Sequence, residues 1–192
     1  MKHLLIPAFC AVATPLFAAP ADYTLDASHT TVMFDVFHVG FAPTIGVFGE
    51  ITGSFTYDMD TQELSNVQVA IGTESVNTFH EARDGHVKGS DFLDVSNHPE
   101  ITFVADSGTP TSDTTGTVSG ELTILGQTHP VTLDVTLNKA GDYPFGHKSF
   151  VLGLTLTGEI QRSQYGMEYA VAGDIVGDTV KVRIETEAIQ VQ

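Results

Sequence analysis

Apolar and polar residues alternate along most of the chain, and this period of two predicts β-strands. Turn residues such as glycine, asparagine and proline separate most of the alternating stretches. The eight stretches lie at 31–38, 47–57, 66–71, 101–105, 118–124, 131–137, 150–157 and 180–185. Strands do not alternate with helical patterns, so the chain is predicted to be all-β with an antiparallel sheet.

Eight antiparallel strands can close into a barrel or divide into two packed sheets. Three of the predicted strands span eight to eleven residues, and such long strands favour a barrel. Glycines within strands suit the bends that closure needs, and they are Gly49, Gly53, Gly120, Gly153 and Gly158. On this pattern alone a sandwich remains the alternative. The pattern also leaves open whether the interior is filled by side chains or holds a ligand.

The first residues follow a different pattern from the rest of the chain. Lys2 is followed by an apolar run from Leu4 to Ala13 and, further on, by the small residues Ala19, Pro20 and Ala21. This predicts a cleaved secretory signal peptide over 1–21 and one folded domain over 22–192. Cys10 lies in the predicted signal, so a mature chain without it could form no disulfide or cysteine-ligated metal site.

The charge balance limits the partners that the protein can have. Asp and Glu number 24 against 8 Lys and Arg, which gives a formal net charge of −16. Such a surface repels nucleic acid and anionic lipid over most of its area. We therefore expect no nucleic-acid partner and no stable membrane insertion. A homodimer is compatible with this composition but nothing in the sequence indicates one.

The alternation stops between residues 77 and 97, which predicts a short helical insert. Charged residues are concentrated in its 83–95 stretch. Asp84 and Lys88 have the spacing of an ion pair along one helical face. We interpret the stretch as a helix with charged caps, in which Arg83 binds buried carbonyl groups. A metal site or an acid–base site is the alternative.

Motifs that would carry chemistry are missing from the sequence. There is no Gly-x-Ser-x-Gly and no glycine-rich phosphate loop, so no catalytic residue, catalytic cofactor or metal is predicted. His38 continues the face of Phe34 and Val36, and either a core position or a ligand contact would suit it. An enzyme with a site at His38, Asp84 and His86 remains a competing hypothesis.

Eight motifs spread over the chain resemble the YceI-like family of exported lipid-binding proteins, between Tyr23 and Glu187. Each motif alone is weak, but together they are specific. They lie at 23–30, 34–40, 46–49, 83–87, 90–94, 98–103, 120–131 and 162–166. Tyr23, Thr30 and Leu93 differ from the Trp, Ser and Phe that are common in the family, which affects the expected ligand shape more than the fold.

This resemblance implies an eight-stranded lipocalin-like barrel that a short helical insert partly closes. It also implies a periplasmic protein that holds a polyisoprenoid lipid, either a polyprenyl quinone or a polyprenyl phosphate, in an apolar tunnel. A stress-induced scavenger of apolar toxins or antibiotics would use the same cavity. The low number of cations favours a neutral, quinone-like head group over an anionic one.

From the strand faces and the resemblance we predict which residues contact the lipid. The apolar cavity and its lid are predicted to include Phe34, Val36, His38, Phe41, Phe55, Val87, Phe92, Leu93, Phe103, Leu122, Leu133, Phe150 and Leu152. Arg83 and Arg162 are the predicted contacts for a polar head group.

Overall fold

Hydrogen-bonded strands dominate residues 19–191, the part of the chain that the computed structural model describes. The predicted signal peptide lies outside the described residues except for its last three. The strands are β1 Ala21–Leu25, β2 Thr31–His38, β3 Ala42–Phe48, β4 Ile51–Tyr57, β5 Leu64–Gly72, β6 Glu100–Ala105, β7 Gly108–Pro110, β8 Thr115–Ile124, β9 Gln127–Asp142, β10 Phe150–Gln161 and β11 Val176–Gln190.

All strand pairs are antiparallel, and the sheet closes on itself. The ring runs β1-β4-β5-β6-β8-β9-β10-β11, and β11 returns to pair with β1. Closure excludes the sandwich and confirms the predicted eight-stranded antiparallel barrel. Closure removes edge strands from this ring, whereas β3, at the end of the strand order, keeps an outer edge.

At two places in the ring, two short strands lie end to end where one long strand would otherwise run. β11 pairs with β2 through its first residues and with β1 through its last, and the segment 26–30 separates these two strands. β3 and β4 pair with β2 and β1 in the same way, and Gly49 and Glu50 separate them. The predicted strand over 47–57 therefore combines parts of two strands. The sequence pattern missed β1, and it missed β7, which lies between the predicted strands at 101–105 and 118–124.

These interruptions divide the barrel into a lower half, which contains β1 and β4, and an upper half, which contains β2 and β3. In the lower half β1 is hydrogen-bonded on both sides, to β4 and to β11. In the upper half the β2–β3 hairpin continues the wall, and an isolated backbone bridge between Val47 and Asn77 joins its outer edge to the following chain. The segment 73–99, which we call the insert, fills the remaining gap.

The insert contains the helix α1, Glu81–Val87. His80 caps it by accepting a hydrogen bond from the backbone N–H of Arg83. The Arg83 guanidinium donates to the buried carbonyl oxygen of Thr78 at 2.6 Å, which confirms its predicted role as a donor to carbonyl groups. The predicted Asp84–Lys88 ion pair is wrong: Asp84 accepts from Thr78, and Lys88 reaches Glu74 at 2.7 Å.

Three glycines within strands make room for large side chains on the inner wall. A Cβ atom on Gly46 would lie 2.2 Å from the ring of Phe34, its partner across the β2–β3 pair. Gly120 accommodates Phe103 and Gly158 accommodates Leu133 in the same way. Space for neighbouring side chains is therefore one reason for these glycines, besides the bends that the sequence suggested.

Candidate ligand cavity

A cavity of about 350 Å³ runs through the interior of the barrel. Its size falls within the roughly 300–1,000 Å³ that is usual for small-molecule sites. Because side chains alternate between the two faces of each strand, the inward residues of β9, β10 and β11 give it a nearly continuous apolar wall. That wall includes Val131, Leu133, Val135, Leu137, Leu152, Leu154, Leu156, Val180, Val182 and Ile184.

Most of the residues predicted to contact a lipid do line this cavity. From the strands these are Phe34, Val36, Phe55, Phe103, Leu122, Leu133 and Leu152. From the insert they are Val87, Phe92 and Leu93. Leu93 also belongs to the largest buried cluster, together with Phe48, Ile71 and Tyr165. The insert therefore contributes both to the hydrophobic core and to the cavity wall.

Four predicted contacts lie elsewhere. His38 and Phe41 are exposed where the β2–β3 hairpin projects beyond the cavity, and Phe41 is 89% exposed. The inward face of β2 thus continues past the end of the barrel. Phe150 packs against the cluster of Tyr23, Leu152 and Ala188 rather than lining the cavity. Arg83 is exposed, and its guanidinium is bound to Thr78.

Arg162 lines the upper part of the cavity and is only 2% exposed. Its guanidinium donates to the backbone oxygens of Met167, Tyr169, Val176 and Gly177 at 2.5–2.8 Å. Four of the five N–H groups of an arginine side chain are therefore engaged. Burial lowers the pKa of this guanidinium, and the nearby Asp178 carboxylate opposes that shift. Arg162 thus organises the β10–β11 loop and has little capacity left for a head group.

An aromatic cluster joins the insert to the β10–β11 loop above the cavity. The ring of Phe92 lies 5.4 Å from that of Tyr169, and the Arg162 guanidinium lies 5.6 Å from the centre of the Phe92 ring. The His86 ring packs edge-on against both aromatic rings, and its Nε2 atom lies 3.0 Å from an Asp91 oxygen. The upper end is therefore closed by side-chain contacts.

The lower end of the cavity is bordered by polar groups. The β4–β5 turn and the loop between β6 and β8 meet there, where the Gln62 amide donates to the backbone oxygen of Ser112 at 3.2 Å. Hydroxyl-bearing residues surround this contact, and an exposed carboxylate, Asp113, lies among them. The sequence pattern missed this border because a polar loop has no apolar period.

The residues of the competing enzyme hypothesis are not brought together. Asp84 is bound to Thr78, His86 faces Asp91, and His38 is exposed at the hairpin. Over residues 19–191, the one group of three candidate metal ligands within 4.8 Å of one another is Asp26, His29 and Glu187. His29 and Asp26 are hydrogen-bonded at 2.8 Å, so this partly exposed group has a structural explanation at the break between β1 and β2.

The sequence of this chain is similar to those of known proteins. The sequence model of the YceI-like domain matches residues 23–188, so the chain belongs to the YceI-like family. Protein YceI of Escherichia coli O157:H7 is 35% identical over 153 residues, which span 79% of this chain and 78% of that protein. Among the described residues, no helix is both long and apolar enough to cross a membrane.

Two solved structures show the same fold. BcnA of Burkholderia cenocepacia superposes with a TM-score of 0.74 at 23% identity, covering 85% of this chain and 98% of BcnA. A polyisoprenoid binding domain from Saccharophagus degradans superposes with a TM-score of 0.63 at 16% identity, covering 88% and 98% of the two chains. At these identities the comparison supports the barrel architecture.

Proposed function

We propose that this protein binds a polyisoprenoid lipid with a neutral head group, such as a polyprenyl quinone, and carries or stores it in the periplasm. The observation that carries the proposal is an apolar cavity whose lining cation, Arg162, is engaged by backbone oxygens. The polyisoprenoid-binding domain with the same fold and the membership of the YceI-like family support it. The predicted signal peptide supports export.

The apolar wall of the cavity is suited to bind the polyprenyl tail of the lipid. Each buried methylene group contributes about 0.8 kcal/mol, so a chain of several isoprene units can be held without polar contacts. Part of this gain offsets the freedom that the ligand and the protein lose on binding. A polyprenyl tail has very low solubility in water, so a carrier gives it a route through an aqueous compartment.

The charged side chains that line the cavity favour a neutral head group over an anionic one. Placing a phosphate in an apolar interior without a cationic partner is costly. The Arg162 guanidinium has four N–H groups engaged, and Asp113 at the lower end would repel an anion. The hydroxyl and amide groups at that end are suitable partners for the carbonyl oxygens of a quinone. We therefore assign the head group to the lower end and the tail to the apolar wall below the insert.

Titration of the purified protein with a polyprenyl quinone and with a polyprenyl phosphate of equal tail length tests this proposal. We expect the quinone to bind with at least about tenfold higher affinity, equivalent to roughly 1.4 kcal/mol. Preference for the phosphate would contradict the assigned head group. Failure of both lipids to bind would contradict lipid binding itself.

A matched pair of variants tests whether the lipid binds in the cavity. Val135 lines the cavity on β9, while Thr136 on the same strand is exposed. Val135→Phe should reduce quinone binding because the larger ring occupies space needed by the tail, and Thr136→Phe should leave binding unchanged. Equal binding by both variants would place the lipid outside the barrel.

Capture of apolar toxins or antibiotics is the second candidate function. The apolar wall offers few directional polar contacts, so it selects for apolarity more than for shape. Competition between such compounds and the bound quinone separates the two functions. Displacement of the quinone at comparable concentrations would support a scavenger, whereas resistance to displacement would support a dedicated carrier.

A further inference from the structure

Large apolar side chains are exposed at the upper end of the barrel. Phe37, Val39, Phe41 and Ile45 lie on the β2–β3 hairpin, and each is at least 44% exposed. Single exposed apolar residues are ordinary on protein surfaces, but a group of them on one projection marks a surface that meets another apolar phase or partner.

Two further residues extend this surface on either side of the hairpin. Ile175 is exposed on the β10–β11 loop, and its backbone oxygen accepts from the N–H of Val39 at 2.8 Å. Phe79 is exposed two residues after Asn77, which pairs with β3. We call the set of Phe37, Val39, Phe41, Ile45, Phe79 and Ile175 the apolar tip. It includes residues of the insert and of the β10–β11 loop, which together cover the cavity.

Charged side chains are absent from the end of the hairpin. Residues 36–49 contain no Asp, Glu, Lys or Arg, although the whole chain has 24 Asp and Glu, and the one ionisable side chain in this run is His38. Two carboxylates border the apolar tip, because Asp35 lies opposite Ile45 on the neighbouring strand and Asp174 lies in the β10–β11 loop. The end of the hairpin can therefore enter the interface of a lipid bilayer without desolvating a carboxylate, whereas the rest of the protein would be repelled by an anionic surface.

We propose that the apolar tip docks on a zwitterionic lipid bilayer and thereby turns the insert towards the membrane. The proposal rests on the proposed lipid-carrier function and names the surface through which that carrier exchanges its lipid. In this orientation the upper half of the barrel, which side-chain contacts close, faces the source of the lipid. The polar lower end then points to water.

Flotation with phosphatidylcholine vesicles tests the docking surface directly. Phe41→Asp places a carboxylate at the centre of the tip, and we expect the vesicle-bound fraction to fall about tenfold or more. Phe145→Asp is the matched control, because Phe145 is 65% exposed in the β9–β10 loop at the opposite end of the barrel. It should bind vesicles like the unchanged protein.

A second measurement separates docking from ligand binding. Both variants should bind polyprenyl quinone from detergent with unchanged affinity, while transfer of quinone from vesicles should slow about tenfold in Phe41→Asp alone. Equal vesicle binding and equal transfer by Phe41→Asp and Phe145→Asp would overturn the docking proposal but leave the lipid-carrier function intact. A dimer in solution that Phe41→Asp dissociates, with no vesicle binding by either form, would instead assign the tip to a second copy of the chain.

Discussion

The two halves of the barrel are closed in different ways. In the lower half β1 links β4 to β11, so backbone hydrogen bonds complete the ring. In the upper half the outer edge of β3 is bridged at Val47 and Asn77, and the insert fills the gap with side chains. Opening the lower half would break a hydrogen-bonded ladder, whereas opening the upper half requires mainly that side-chain contacts separate.

Because the two halves are closed differently, the barrel can remain folded while a bound lipid enters or leaves. Backbone hydrogen bonds between the strands keep the wall intact. The ring contact of Phe92 with Tyr169 joins the insert to the β10–β11 loop, and it can separate without breaking those hydrogen bonds. Local opening draws on the parts of a structure that have the lowest local stability. We therefore expect lipid to pass through the upper half. Substitutions in the two halves should then differ in their effects on stability and on binding.

Replacing the arginine that organises the upper loop should have the largest effect. Arg162→Met leaves four backbone oxygens without their donor, and we expect the free energy of unfolding to fall by about 3 kcal/mol or more. Urea unfolding measures the loss. Arg183→Met is the control, since Arg183 is exposed beside Glu185 and its loss should cost less than about 1 kcal/mol. Equal losses in the two variants would contradict the role of Arg162.

Adding one methyl group on the inner wall should reduce the space for the ligand. In Gly46→Ala the new Cβ atom would lie 2.2 Å from the end of the Phe34 ring, so the ring must move. We expect a loss of about 1–3 kcal/mol in stability, as for other overpacked sites, together with weaker quinone binding. Gly49→Ala has no neighbour within 4 Å and should retain both properties. Unchanged quinone binding by Gly46→Ala would show that the Phe34 region does not hold the tail.

The break between β1 and β2 should make stability depend on pH. Hydrogen bonds from His29 and then from Ser28 lower the pKa of Asp26 from 3.8 to about 2, so its contribution is complete above pH 3.8 and is lost as the pH falls through 2. The same contact raises the pKa of His29, so the contribution of His29 is complete below pH 6.5 and is lost as the pH rises through the folded-state value.

The difference in unfolding free energy between the unchanged protein and Asp26→Asn measures this contact. The difference should be largest between about pH 4 and 6.5 and should shrink on either side. The asparagine can still accept from the N–H of Ser28, so the turn is retained. A difference that stays constant from pH 2 to pH 8 would contradict the assignment.

The smallest effect is expected at Tyr165. Its ring is 1% exposed within the upper core, and its hydroxyl group has no hydrogen-bond partner among the described residues. Tyr165→Phe removes a polar atom that gains nothing from burial, so thermal unfolding should show unchanged stability or a gain of up to about 1 kcal/mol. A clear loss would reveal a bound water or another partner for this hydroxyl group.

The wall of the barrel could be predicted from the sequence because its signal is local. Alternation in β9, β10 and β11 identifies the inward residues directly, and the loss of alternation after residue 77 locates the insert. The same signal does not tell where a strand leaves the barrel. His38 continues the inward face of β2 but lies beyond the cavity, and Phe41 follows a tight turn in which Val39 and Gly40 both have positive φ.

The role of Arg162 could not be predicted, because its partners come from the tertiary fold. Arg162 binds oxygens between residues 167 and 177, and only the folded β10–β11 loop brings these together. A cation in an apolar protein is reasonably assigned to an anionic ligand until its hydrogen bonds are known. The polar border at Gln62 and Ser112 was missed for a related reason, since two loops distant in sequence form it.

The apolar cavity should hold a polyprenyl lipid without a charged head group. The decisive measurement is mass spectrometry of an organic extract of the protein, purified without detergent from cells that produce it. A polyprenyl quinone in stoichiometric amount is the result we predict. An extract that contains no polyprenyl lipid, or that contains polyprenyl phosphate in its place, would contradict it.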